Sequence, residues 1–436
     1  MNKTLLAKWI AGLLLPPVGL VLVWFGSGWR VPRKLLATLA LIVWTIAAPI
    51  YLFNMHIAVD GSSSRPIITF GKVDSHYDEI EKSRAQQAAV PAPSPAAAAP
   101  AETAPAAKPG ESAKAETPKP AVAPNAVLST YWTSFRGPNR DGVYDQLPVL
   151  TKWPDAGLTP VWKEPVGLGY ASFTIAQGRA FTIEQRRKQE VVAAYDLLTG
   201  RELWTHRWDA EFKEFLGGDG PRATPIWDAG RVYALGAQGD LHVLDAATGK
   251  KIWSRNILTE NGASNLQWGA SGAPLIVGDT VVVLPGGPAG KSVVAYNKVT
   301  GAPAWSSLDD KTAYVTPMLA TVAGKRQILV VTGHRVVGLV PETGALLWEY
   351  PWQTTNDINI SQPIVVGPSR IFISAGYGHG AAVFELTPAG EGFEAKTVWA
   401  NTKMKSKFST AVLHDGFIYG LDENILACID PKTGDL

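Results

Sequence analysis

One nine-residue pattern recurs along this chain and limits its fold more than any other feature. Asp245-Ala-Ala-Thr-Gly-Lys-Lys-Ile-Trp253 has the same form as Asp196-Leu-Leu-Thr-Gly-Arg-Glu-Leu-Trp204. Asn297-Lys-Val-Thr-Gly-Ala-Pro-Ala-Trp305 and Val340-Pro-Glu-Thr-Gly-Ala-Leu-Leu-Trp348 repeat it, and the sequence ends inside a further copy, Asp430-Pro-Lys-Thr-Gly-Asp-Leu436. Gly200, Gly249, Gly301, Gly344 and Gly434 are spaced by 49, 52, 43 and 90 residues. The last interval is two periods, and a worn copy, Leu386-Thr-Pro-Ala-Gly390 with a late Trp399, lies within it. A period of roughly 40–50 residues belongs to solenoids, propellers and repeat arrays.

The content of one period selects among these. Arg231-Val-Tyr-Ala-Leu-Gly236 is a short β-branched and aromatic run, Gln238-Gly-Asp240 turns, and Leu241-His-Val-Leu-Asp245 alternates apolar with polar residues. After the turn at Ala246–Gly249, Lys250-Lys-Ile-Trp-Ser254 runs outward, and Thr224-Pro-Ile-Trp-Asp228 supplies a strand upstream. Four short strands separated by tight turns make one blade of a β-propeller. The signature residues have structural tasks. Glycine takes the positive φ of the turn, the preceding Asp caps it, and the Trp plate fills the wedge between blades. The fold class expected is all-β, a propeller of four-stranded antiparallel blades, eight when complete with about five to six present. Leu158-Thr-Pro-Val-Trp162 reads as a lone outer strand whose inner strands come from the far end of the chain, so the propeller is expected to be incomplete at its C-terminus.

The N-terminal 126 residues are different in kind. Trp9 to Trp29 and Leu35 to Phe53 are uncharged apolar runs, each long enough for a spanning helix. Together they give a two-helix membrane anchor over 1–54, although Pro16-Pro17 kinks the first helix or makes it re-entrant. Arg30, Arg33 and Lys34 crowd the loop between them, which places that loop in the cytoplasm and both flanks outside. A juxtamembrane segment over 55–84 follows. Residues 85–126 are dominated by Ala and Pro, lack aromatics, and are expected to form a disordered tether. Fully extended, the tether reaches about 130 Å at ~3.1 Å per residue. The propeller then covers 127–436 on the extracytoplasmic, periplasmic side of a cytoplasmic membrane.

Phe135-Arg-Gly-Pro-Asn-Arg-Asp-Gly142, followed by the Asp-x-x-Thr-Gly-x-x-x-Trp repeats, resembles the bacterial PQQ-like (pyrroloquinoline-quinone-like) β-propeller proteins. The resemblance covers Tyr131 to Leu436. It implies a quinoprotein-like fold but leaves function open, because the superfamily holds both PQQ- and calcium-dependent dehydrogenases and non-catalytic, BamB-type propellers that bind partner proteins.

The residues bear on that choice. Alcohol-oxidising quinoproteins typically carry adjacent cysteines beside the cofactor, whereas Cys428 is the single cysteine here and sits at a small, buried strand position. Asp357, Asn359 and Gln362 cluster before an inner strand but lack a partner carboxylate, so no calcium site is expected. Pro285-Gly-Gly-Pro-Ala-Gly-Lys-Ser292 has Pro where a phosphate loop needs its first glycine, and reads as a hairpin loop. The scattered histidines support no zinc site. A net charge of +2 argues against a nucleic-acid binder.

What remains is the funnel mouth. Aligning the repeats on Phe173, Pro225, Pro274, Pro317, Pro363 and Ala411 places Tyr170, Arg222, Trp268, Tyr314, Asn359 and Lys407 in the lead-ins to the inner strands. They differ while the framework repeats, and their aromatic and Arg content suits a binding surface. The function expected is a membrane-anchored, non-catalytic protein-interaction or envelope scaffold, with no catalytic residue, metal or cofactor. The alternative is a PQQ-dependent oxidoreductase, or a propeller that binds PQQ with calcium without turnover.

Overall fold

The computed structural model describes residues 16–53, 55–59, 66–70, 73–89, 131–146 and 148–436. These form two compact units, residues 1–78 with 215–218 and residues 79–214 with 219–436.

In the first unit, helix α1 (Pro16–Phe25) opens on a proline, which costs no hydrogen bond at a helix start. Helix α2 (Val31–Phe53) follows a short turn, in which Lys34 Nζ donates to the Trp24 carbonyl at 2.8 Å and Trp24 Nε1 to Thr38 Oγ1 at 3.0 Å. The 22 residues Val31–Leu52 make the one described helix long and apolar enough to cross a membrane. At ten residues α1 spans only about 15 Å; residues 9–15 of the first apolar run lie outside the described residues, and residues 26–29 form no helix. Met55–Val59 pairs with Pro66–Phe70 as a small antiparallel hairpin. Helix α3 (Val73–Ala89) runs on into the second unit, so the boundary read between 84 and 85 falls inside a helix, and residues 90–126 of the expected linker lie outside the described residues.

The second unit is a propeller. Among the described residues it has five four-stranded sheets and one three-stranded sheet, each with strands in sequence order. Their first strands begin at Thr174, Ile226, Leu275, Met318, Ile364 and Val412. Each follows directly on one of the six residues used to align the repeats, so the inner-strand register is as expected. The sheets are numbered blades 1 to 6. Five of six apolar clusters among the described residues are each shared by two consecutive blades, and the sixth, around Tyr195, lies on the outer face of blade 1. The middle strands are therefore buried on both faces, as Gln189–Asp196 shows in blade 1. One blade cannot bury its own faces; stacking supplies the stability.

The repeated motif forms the lock between blades. Asp245 Oδ1 accepts the Thr248 N–H at 2.9 Å and the Thr248 hydroxyl at 2.7 Å, and Asp196 and Asn297 bond Thr199 and Thr300 in the same way. Gly249, at φ 72°, lies so close under the indole of Trp204 that a Cβ there would stand 2.5 Å from the ring. Trp253 covers Gly301, Trp305 covers Gly344 and Trp399 covers Gly434 likewise. Each Trp thus reaches forward onto the turn of the next blade, and Trp204 and Trp253 also donate Nε1–H to carbonyls of those turns.

Two places depart from the repeat. Residues 158–162 form no strand, having no described neighbour to pair with, yet Trp162 still covers Gly200 and donates to the Leu197 carbonyl at 2.9 Å. Gly390, in the worn copy, has nothing within 4 Å of its Cβ position, because blade 5 carries two ten-residue strands there, Gly380–Ala389 and Gly392–Asn401. Trp348 consequently stacks on no turn glycine. It bonds Gln327 and packs 5.5 Å from Phe384, which itself stacks on Tyr350 at 4.1 Å. Cys428 is exposed, contrary to its expected burial, because it lies on Ile425–Ile429, the uncovered edge of the three-stranded sheet. The Pro285–Ser292 loop is a hairpin, closed by a bridge between Gly287 and Lys291.

Candidate functional site at the funnel mouth

The lead-in peptide sets the floor of the site. The Trp132 and Thr133 carbonyls accept the N–H groups of Ile175 and Trp227, on the inner strands of blades 1 and 2. Arg136 donates to the carbonyls of Thr410 and Ala411 at 3.0 Å each, where blade 6 begins. Arg140 is buried and donates to the carbonyls of Pro317 and Pro274, at the starts of blades 4 and 3. Among the described residues no carboxylate pairs with it, and burial lowers its pKa to about 9. The strap therefore crosses the propeller axis and ties five blades together at their inner-strand starts. Between blades, the hydroxyls of Thr224, Thr316 and Thr410 accept N–H groups of Ser172, Ala273 and Gln362.

Above this floor the six lead-in residues divide into groups. The Arg222 guanidinium lies over the rings of Tyr170, 5.4 Å away, and Phe212, 4.6 Å away. Burial lowers the Arg222 pKa, while Tyr170 and nearby carboxylates oppose the shift. Trp268 and Tyr314 meet at 5.5 Å with their planes tilted by 54°. Burial raises the Tyr314 pKa, and the Arg222 charge works against that rise, which puts Arg222 within electrostatic reach of this pair. Lys407 Nζ stands 4.9 Å from the Tyr377 ring and 5.3 Å from the Phe408 ring. Contacts of a cation with an aromatic face are each worth about 0.5–2 kcal/mol, so the rings and charges hold one another in place.

Asn359 is different. It is buried, donates Nδ2–H to the Thr332 carbonyl at 2.9 Å, and its own carbonyl accepts the Tyr314 N–H at 3.0 Å. It braces the loop behind Tyr314 and offers no surface to a ligand. Phe212, Tyr377 and Phe408 were missed, since they lie outside the segments that the repeat alignment selects or, for Phe408, one residue beyond the chosen position. An aromatic residue in a loop adjoining a lead-in was the available signal.

The fold's associated group, PQQ with calcium, needs an oxygen cage. Asp357 is paired with Lys311 at 3.3 Å and His334 at 3.5 Å. Asn359 and Gln362 donate their amide N–H groups to backbone carbonyls, Gln362 Nε2 to Thr316 at 3.2 Å, while Asn359 Oδ1 and Gln362 Oε1 are buried with no hydrogen-bond partner among the described residues. Calcium takes about six to eight oxygens; two amide oxygens beside a carboxylate already ion-paired fall short of that cage, and among the described residues no group of three or more His, Cys, Asp or Glu side chains forms a metal cluster. No catalytic step is derived through that cofactor.

Blades built on a Thr-Gly turn and an outer-strand Trp, joined across their axis by an Arg-bearing strap, define a PQQ-like β-propeller. The chain belongs to the family described as outer membrane protein assembly factor BamB, whose model matches residues 187–436. A curated relative, BamB of Bordetella pertussis, is 23% identical over 295 residues, covering 65% of this chain and 68% of the relative. The quinohemoprotein alcohol dehydrogenase ADH-IIG of Pseudomonas putida is 31% identical over 123 residues, 26% of this chain and only 16% of that protein. Among solved structures, BamB from Moraxella catarrhalis is similar with a TM-score of 0.42 and 16% identity, covering 59% of this chain and 71% of that one. The quinohemoprotein alcohol dehydrogenase of Comamonas testosteroni has a TM-score of 0.41 and 17% identity, covering 58% and 51%.

Proposed function

We propose that this chain is a membrane-anchored propeller of the cell envelope that binds a protein partner at its funnel mouth and catalyses no reaction. The observation that carries the reading is the mouth itself, where aromatic rings are fixed beside cations and the nearby Asp357 carboxylate is held in ion pairs. Preset aromatic and Arg side chains suit a protein interface, because little conformational entropy is lost on binding. The α2 span, with Arg30, Arg33 and Lys34 near its start, supports a cytoplasmic-membrane anchor with the propeller on the extracytoplasmic side. Similarity to proteins described as outer membrane protein assembly factors supports a partner among envelope proteins.

Trp268→Ala is expected to weaken partner binding by about 2 kcal/mol, roughly thirtyfold, and Arg222→Glu by more. A photo-crosslinking residue placed at Tyr170 in the intact cell is expected to give a discrete crosslinked species that Arg222→Glu abolishes. Crosslinking indifferent to both substitutions sinks the proposal. The second reading, a quinoprotein oxidoreductase, is favoured by the matched stretch of ADH-IIG.

A further inference from the structure

Blade 1 differs from the other blades two residues after its turn glycine. Glu202 stands there, where the other copies have Lys251, Pro303, Leu346 and Leu436. Glu164 lies two residues beyond Trp162, and Glu184 projects from the strand Arg179–Arg186. Glu184 accepts the Tyr195 hydroxyl at 3.1 Å, and Arg186, a cation of the same blade, contacts Glu184 and Glu202 and lies 3.2 Å from that hydroxyl. All are largely buried, with side-chain exposures of 3% for Glu184, 9% for Arg186, 14% for Glu202 and 18% for Glu164. With α3 in place these groups are shielded from water, and three carboxylates against one cation of the blade leave the patch with an excess of negative charge.

Arg84 of α3 completes it. Its guanidinium pairs with Glu164 at 2.9 Å and Glu202 at 3.1 Å, and donates to the Pro165 carbonyl at 2.7 Å and the Tyr195 hydroxyl at 3.3 Å. Its face lies 5.2 Å from the centre of the Tyr195 ring. Beside Arg84 and one turn away on either side, α3 adds neutral contacts. Ser83 Oγ donates to Glu164 at 2.8 Å, the Glu202 N–H donates to Gln87 Oε1 at 2.9 Å, and Ile80 is buried. Ile80, Arg84 and Gln87 recur at spacings of four and three, which puts them on one helix face.

We infer that Glu79–Ala89 is a resident docking helix of the propeller, seated by Arg84 in an acidic receptor that blade 1 alone provides. The chain therefore joins the folded unit ahead of its Ala- and Pro-rich segment. This does not depend on what the funnel mouth binds.

The test uses the full chain in detergent, with a protease site inserted between residues 90 and 126 and distinct tags at the two ends. After cleavage the N-terminal piece is expected to co-purify with the propeller. Arg84→Glu is expected to lower recovery at least about tenfold, by leaving like charges together, and Glu164→Arg added to it to restore part of the loss. Circular dichroism of uncleaved Arg84→Glu is expected to keep the propeller signal, so that release is not confused with unfolding. Separation of the pieces in the parent chain overturns the inference, as does recovery unchanged by Arg84→Glu. Mixing two differently tagged copies before cleavage and recovering the foreign propeller overturns the seat within one chain.

Discussion

Trp204→Ala is expected to lower propeller stability by about 3 kcal/mol, and Gly249→Ala by about 2–4 kcal/mol, in urea unfolding of the full chain. The two residues form one contact seen from opposite blades. Truncating the indole opens a cavity between blades 1 and 2, where Trp204 packs against the cluster of Phe181, Val192 and Leu244 and bonds the Ala246 carbonyl at 3.2 Å. Adding a methyl at Gly249 forces a left-handed backbone on alanine and drives a Cβ to 2.5 Å from the ring. Gly230 separates these causes. It also has positive φ, 80°, but nothing lies within 4 Å of its Cβ position, so Gly230→Ala is expected to cost only about 1 kcal/mol. Equal costs at Gly230 and Gly249 mean that the indole is not the lock.

Glu190→Gln is expected to stabilise the propeller at pH 8 by about 2 kcal/mol and to leave it unchanged at pH 4. Glu190 is fully buried at the junction of blades 1 and 2, where it accepts the Ala237 N–H at 2.7 Å. Its Oε2 makes no well-formed hydrogen bond among the described residues, and the nearby Trp208 indole N–H only partly offsets its burial. Burial, with Asp240 adding to it, raises its pKa from 4.5 to about 7. The folded chain thus keeps a proton that the unfolded chain releases. Stability is whole below about pH 4.5 and falls as pH rises to 7, by a few kcal/mol. Glutamine keeps the acceptor for Ala237 and never ionises. His242 acts in the opposite sense. Burial first, then His206 and Lys251, lower its pKa from 6.5 to about 3. Its contribution is whole above pH 6.5 and is lost as pH falls toward 3. The parent should therefore show a stability optimum between these limits, and the variant an optimum moved to higher pH. Identical profiles for the two proteins contradict this assignment.

The blade lock was legible because its parts sit within one period. The Asp, Thr, Gly and Trp of each copy are at fixed offsets, and every copy shows the same physical demand for a capped turn, a positive φ and a plate. Inner-strand starts were legible for the same reason, each following a Pro, Phe or Ala at a constant place. Contacts that skip across the sequence were not. Arg136 and Arg140 bond carbonyls more than 130 residues away, and a carbonyl acceptor leaves no trace in side-chain pattern. Trp348 keeps the motif but lost its glycine contact to two long strands of blade 5, which the worn copy around Gly390 signalled only as decay. Asn359 fell at the right alignment position, yet that position does not specify whether its side chain turns outward or into the loop. In α3 the face carrying Ile80, Arg84 and Gln87 has helical spacing, but an arginine at its centre breaks the apolar stripe that a search for amphipathic helices follows.

The reading of this chain as a non-catalytic envelope platform rests on the mouth being a protein-binding surface and not a cofactor site. Calorimetric titration of the full chain in detergent with pyrroloquinoline quinone, with and without calcium, tests this most directly. We expect no binding heat in either case. Calcium-dependent binding at micromolar affinity, about −8 kcal/mol, contradicts it and makes the quinoprotein reading the one to pursue.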